Sequence, residues 1–98
     1  MRLTKAGIAG TMESSDVMVT VRPSDEAGIR IAIESKVEAQ YGDEMRQTVL
    51  DIMNDFGIEA ADVELRDRGA LDCVIRARTQ TAVCRALGTG FDWKGEDR

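Results

Sequence analysis

Two triplets of β-branched residues constrain this chain more than any other feature. Val17, Val19 and Val21 alternate with Met18, Thr20 and Arg22, and Ile29, Ile31 and Ile33 alternate with Arg30, Ala32 and Glu34. A period of two places one set of side chains on one face of a strand. Between the triplets, Pro23-Ser-Asp-Glu-Ala-Gly28 has a breaker at each end and reads as a turn. The spacing predicts strands over residues 16–22 and 29–34, paired as an antiparallel hairpin with both triplets on one face.

That face needs helices to cover it. Ser35-Lys-Val-Glu38 has the form of a capping box, with Ser at the cap and Glu three residues on. Gly42 leaves two courses open: a kinked helix, or one restarting with Asp43 as its cap. From Asp43 onward, Met45, Val49, Ile52, Met53 and Phe56 fall at helical spacing, with Glu44, Arg46, Asp51 and Asp55 on the wet face. Gly57 and Ile58 are placed for a Schellman stop. A third strand is expected over residues 62–67, with Val63 and Leu65 inward, then a turn at Arg68-Gly69. Residues 70–87 read as a second helix with a stripe of Leu71, Val74, Ile75, Ala82, Val83, Ala86 and Leu87, ended by Gly88 and Gly90. A short strand over 71–77 is the competing reading. Residues 6–11 are mostly small and fit either an edge strand or an ordered loop. The expected fold is therefore α+β, in the order β-β-α-β-α: an antiparallel sheet with two helices packed on one face. All 98 residues make one domain, with an N-terminal segment and serine-bearing loop over 1–15 and a polar tail over 89–98. Phe91 and Trp93 in that tail either fold back or face a partner.

The loop before the first strand pattern is Gly10-Thr-Met-Glu-Ser-Ser-Asp-Val-Met18. It sets adjacent hydroxyls, Ser14 and Ser15, between the acids Glu13 and Asp16. By itself this composition describes a solvated turn.

Chemistry of other kinds is largely excluded. The chain has no histidine, which removes Ser-His-Asp and Cys-His catalysis and the commonest metal ligand. No base and no oxyanion site accompany the serines. Acids outnumber Lys plus Arg by 18 to 13, for a net charge of −5, which disfavours nucleic acid as a partner and suits a basic protein surface. Asp62, Glu64 and Asp67 could gather a cation, but alternating acids on a strand more often form its wet edge. Arg66, Arg68, Arg76 and Arg78 read as a salt-bridged surface in preference to an anion site. Cys73 and Cys84, if both on one helix, stand roughly 16 Å apart, beyond disulfide reach; free thiols suit a reducing compartment. No run reaches the ~20 apolar residues of a membrane span, and the N-terminal residues lack a signal peptide's apolar region, so a cytoplasmic protein is expected. The residues alone favour a binding or carrier module over a self-sufficient enzyme.

Three segments, in order, carry a resemblance: Ala9-Gly-Thr-Met-Glu-Ser-Ser-Asp-Val-Met-Val, Gln40-Tyr-Gly-Asp43, and Gly69-Ala-Leu-Asp-Cys-Val-Ile-Arg-Ala-Arg78. Together they resemble the citrate lyase acyl carrier proteins, the small γ-subunit family, from about Ala9 to Leu87. The resemblance implies that Ser14 carries 2'-(5''-phosphoribosyl)-3'-dephospho-CoA through a phosphodiester, with Ser15 standing where some members have Gly. It implies recognition or solvation roles for Glu13, Ser15 and Asp16, and no catalytic or metal-binding residue in this chain. Its implied partners are the α subunit, which exchanges acetate for citrate on the arm's thiol, the β subunit, which cleaves the citryl thioester to oxaloacetate, and the transferase that attaches the arm. A carrier subunit of malonate decarboxylase, or a regulatory or assembly domain with nothing covalent attached, are the alternatives.

Overall fold

The structure, a computed structural model, describes residues 2–88. The expectations for Gly90, Phe91 and Trp93 lie outside the described residues. Four strands and two helices follow one another as β1 (Gly7–Gly10), β2 (Val17–Pro23), β3 (Gly28–Glu34), α1 (Glu38–Asp55), β4 (Ala60–Asp67) and α2 (Asp72–Leu87). The segment left open between strand and loop is strand β1, so the order is β-β-β-α-β-α.

The α+β class holds, but one pairing does not. The sheet order is β1-β2-β4-β3, so β2 and β3 are not neighbours and the expected hairpin does not form. β4 inserts between them, antiparallel to β2 and parallel to β3, which makes the sheet mixed. Alternation reports the face a side chain occupies and says nothing about which strand lies alongside. The four-residue connection over 24–27 can reach ~13 Å when extended, enough to pass the ~10 Å that separates next-nearest strands. Parallel neighbours need a crossover connection, usually a helix, and α1 supplies it between β3 and β4.

Both triplets do share one face, through β4. The register sets Val21, Val63 and Ile31 side by side, and Val19, Leu65 and Ile33 in the next row. Val17, Val19, Val21 and Leu65 are fully buried, and the three isoleucines pack against this cluster from the margin. β4 is central because it alone finds apolar partners on both sides. Both helices lie on this face, α2 over β1 and β2, α1 beside β3 and α2. At Gly7 the α2 backbone comes so close that a Cβ would stand 2.1 Å from the carbonyl oxygen of Ala82. The outer face is polar, with Arg22, Asp62 and Arg30 in one row and Ile8 half exposed.

α1 passes through Gly42 without a break, burying Met45, Val49, Ile52 and Met53. Its end has the expected Schellman bonds, Gly57 N–H to Asn54 C=O at 3.0 Å and Ile58 N–H to Met53 C=O at 2.8 Å. Its start differs from the capping box. The helix begins at Glu38 with no side-chain cap, because Ser35 is engaged elsewhere: its hydroxyl donates to the Asp67 carboxylate at 2.8 Å and accepts from Val37 N–H. Glu38 in turn pairs with Arg46. α2 confirms the helical reading over the strand alternative, yet starts at Asp72, which leaves Leu71 outside the stripe and 70% exposed. No helix among the described residues is long and apolar enough to cross a membrane.

Candidate functional site: the serine loop

Residues 11–16 connect β1 to β2 and form a small, tightly tied loop. Gly10 enters it with φ 96°, and a Cβ there would lie 1.8 Å from the Val17 carbonyl oxygen, so no other residue fits. Ser15 is the one non-glycine residue with positive φ, 68°, among the described residues. Its amide donates to the Arg68 carbonyl at 2.7 Å, and Arg68 N–H donates to the Asp16 carbonyl at 2.9 Å. These two bonds continue the β2–β4 ladder into the loop and compensate the strain at Ser15.

Asp16 is the anchor. Its carboxylate accepts from the Thr11 hydroxyl at 2.7 Å, from its neighbour Val17 N–H at 2.7 Å, and from both Nε (3.0 Å) and Nη2 (2.9 Å) of Arg78 on α2. A forked guanidinium contact of this kind fixes position as well as charge. Arg78 first, then the Thr11 hydroxyl and the Val17 amide, hold the Asp16 carboxyl far below the usual carboxylate range. The loop is thus pinned at its C-terminal end while its tip stays open. Glu13, Ser14 and Ser15 are exposed, and neither serine hydroxyl makes a hydrogen bond among the described residues.

Ser14 differs from Ser15 in what it faces. It lines an open groove of about 710 Å³ whose walls include Met12, Lys36, Val37, Arg68 and Gly69. Asp67 closes the bottom of that groove. It is 4% exposed, and it accepts from the Ser35 hydroxyl at 2.8 Å and the Ala70 amide at 2.9 Å, so it braces the two turns that flank the groove. Ser15 is not among the residues that line this groove.

The other sequence-level candidates separate. Asp62 and Glu64 lie on the outer face while Asp67 points to the helices, as alternation requires, and no cluster suited to a metal ion occurs among the described residues. The four arginines are each ion-paired, Arg66 with Glu64, Arg68 with Glu34, Arg76 with Asp72 and Arg78 with Asp16. Cys73 is exposed and Cys84 buried, both free on α2, and burial pushes the Cys84 thiol up. Sequence reasoning did not reach the Arg78–Asp16 contact, the brace at Asp67 or the groove wall at Lys36. The last two depend on the turns at 35–37 and 68–71 meeting at one end of the sheet. The first left no signal in the sequence, since Arg78 is half exposed on α2 and lies 62 residues from Asp16.

A loop pinned at its base that leaves the Ser14 and Ser15 hydroxyls unengaged among the described residues is the arrangement of a presenting or carrier domain. Comparison with known proteins agrees. Residues 4–86 match the family described as "Malonate decarboxylase delta subunit (MdcD)". The chain is 48% identical over 98 residues to the citrate lyase acyl carrier protein of Streptococcus mutans, covering 99% of this chain and 96% of that one. It is 46% identical, with the same coverage, to that of Streptococcus pyogenes serotype M4. It therefore belongs to the citrate lyase acyl carrier protein family. In fold alone it is similar to a chain in the crystal structure of a Pseudomonas malonate decarboxylase hetero-tetramer, with a TM-score of 0.55 and 18% identity over 88% of this chain and 92% of that one. A homoserine kinase from Cytophaga hutchinsonii contains the same fold within a longer chain, with a TM-score of 0.60, 16% identity and 38% of that chain covered.

Proposed function

We propose that this chain is the acyl carrier subunit of a citrate lyase complex and contributes no catalytic residue of its own. The observation that carries this reading is the unengaged Ser14 hydroxyl on a loop anchored by Arg78 and opening onto a groove. Ser14 is the attachment point for phosphoribosyl-dephospho-CoA, through a phosphodiester. The residues fit such a group: the hydroxyl is exposed, two cationic side chains (Lys36 and Arg68) stand on the same groove, and the nearest buried acid, Asp67, is occupied by its own donors. Once bound, the group supplies a thiol on a long flexible chain, the acyl-bearing atom that neither a buried Cys84 nor a helix-borne Cys73 provides.

The protein's own residues then do three things. Arg78 and Asp16 hold the loop base still. The Ser15 amide bond to the Arg68 carbonyl sets the direction in which Ser14 leaves the surface. The domain raises the local concentration of the acyl group at partner sites by tethering. Those partners are the α and β subunits that exchange and cleave the acyl group, together with the transferase that loads Ser14, in the cytoplasm.

Intact mass with fragment localisation, on protein made together with its prosthetic-group transferase, tests this. An increment matching phosphoribosyl-dephospho-CoA on Ser14 is expected. An unmodified Ser14 in the presence of an active transferase would sink the reading. A malonate decarboxylase-type carrier is the second reading, supported by the family match over residues 4–86. Restoration of citrate cleavage, as against malonate decarboxylation, in complexes lacking their own carrier separates the two.

A further inference from the structure

The groove beside Ser14 has features that attachment alone does not require. Lys36 stands on its wall and forms no ion pair among the described residues, in a chain whose net charge is −5. Arg68 reaches the same space, and its contact to Glu34 is long, 3.5 Å, so a closer anion can displace it at little cost. The Gly69 amide, on the same wall, has no partner among the described residues. These donors line the same groove as Ser14.

The groove then runs on. A second groove of about 390 Å³ shares Val37, Asp67 and Gly69 with the first and continues past Tyr41 and Leu71. Met12, Val37, Tyr41 and Leu71 along this course are exposed, 38%, 38%, 43% and 70%, while Met45 and Ile75, which also line it, are buried. Polar donors near the serine followed by exposed apolar groups match the arm read from its attachment point outward, the linking phosphate first and the thiol-bearing chain last. Each groove lies within the usual range of ligand sites, roughly 300–1,000 Å³.

We propose that this trough is the resting site of the arm carried on Ser14, with its linking phosphate on Lys36, Arg68 and the Gly69 amide and its distal chain along Val37, Tyr41 and Leu71. The proposal rests on the carrier reading. Docked there, the acyl thioester spends its time between partner visits against apolar side chains instead of in bulk water, and release to a partner is a local exchange of weak contacts.

Amide chemical shifts of the unloaded and loaded full-length chain test it, with intact mass showing separately that Ser14 is loaded. Docking is expected to shift Val37, Tyr41 and residues 68–71, far from the attachment point in sequence, and to broaden the arm's phosphorus signals to those of a group tumbling with the domain. In Lys36→Glu the docked fraction should fall roughly two- to tenfold, as reversal of one exposed charge contact allows, with the remote shifts shrinking accordingly. Titration of unloaded protein with 3'-dephospho-CoA gives the same comparison if that variant loads poorly. The proposal is overturned if loaded protein shows shifts confined to residues 12–16 and sharp arm signals, or if Lys36→Glu leaves the shift pattern unchanged. A chain that carries nothing on Ser14 overturns the carrier reading instead.

Discussion

Two polar connections flank β2, and by composition they are near twins. The loop at 11–16 has two serines and two acids; the turn at 24–27 has one serine and two acids. Each follows or precedes a positive-φ glycine, Gly10 or Gly28, and each is organised by one arginine. The arginines do opposite things. Arg30, from the strand just after its turn, takes the Ser24 hydroxyl, the Glu26 and Ala27 carbonyls and the Asp62 carboxylate. Arg78 comes from a helix 62 residues away and grips only the carboxylate at the base of its loop. Ser24 is consumed in holding a turn together; Ser14 and Ser15 are left unengaged among the described residues because something else holds the loop. A hydroxyl available for chemistry is thus marked less by its own neighbours than by the long-range partner that relieves it of structural duty.

The largest expected effect tests the fit of the two glycines. Gly10→Ala should destabilise by about 3 kcal/mol or more, since overpacking against fixed backbone adds to left-handed strain. At Gly28 a Cβ meets nothing within 4 Å, so Gly28→Ala should cost only the strain, about 1–2 kcal/mol. Equal losses in denaturant unfolding would mean the loops are equally tolerant and the comparison fails. Next come the arginines. Arg30→Ala should lower stability by less than about 1 kcal/mol, because its ion pairs are exposed. Arg78→Ala should lower the thermal midpoint further and raise amide exchange at Ser15 and Asp16. A midpoint no lower than that of Arg30→Ala counts against the anchor.

Acid provides a third test. Asp16 has a carboxyl held below its unfolded value, so the stability it contributes is complete above the ordinary carboxylate value of about 4 and drains away as pH falls toward the folded value. Asp16→Asn should therefore be less stable at neutral pH and lose less on acidification below about pH 4. Parallel wild-type and variant stability curves over that range would remove Asp16 from the acid response. The smallest effects belong to the serines. Ser24→Ala should cost up to about 1 kcal/mol through the lost contacts to Arg30 and the Glu26 amide. Ser14→Ala should stay within about 0.5 kcal/mol of wild type while abolishing loading, so calorimetry and mass together separate structural from carrier serine.

Much of this architecture was legible in the sequence because it is written in local periods. The valine and isoleucine alternation, the α1 stripe and the Gly57-Ile58 stop each depend on residues within a turn or two of one another. What was not legible depends on residues far apart. The place of β4 between β2 and β3 is decided by Val63 and Leu65 finding apolar rows on both sides. Ser35 has the local form of a cap, but the acceptor that takes its hydroxyl, Asp67, lies 32 residues on. Leu71 stands at stripe spacing from Val74 and Ile75, but the helix starts two residues later than the spacing predicts and leaves Leu71 as an extended cap outside it. At the site, Ser14 was legible as a residue; its difference from Ser15, which is a groove made by two remote turns, was not.

The late arrival of the central strand sets the order of events as the chain leaves the ribosome. Until residues 60–67 have emerged, β2 and β3 have no partner between them, and α1 has only half a sheet to cover. The N-terminal 59 residues can form the short β1–β2 pair but cannot close their core. Folding is therefore expected to wait for β4 and to be governed by long-range pairing, slower than in a helical domain of equal length. A nascent or truncated chain ending before β4 exposes two valine- and isoleucine-rich strand edges, the kind of surface that recruits chaperones or other copies of itself.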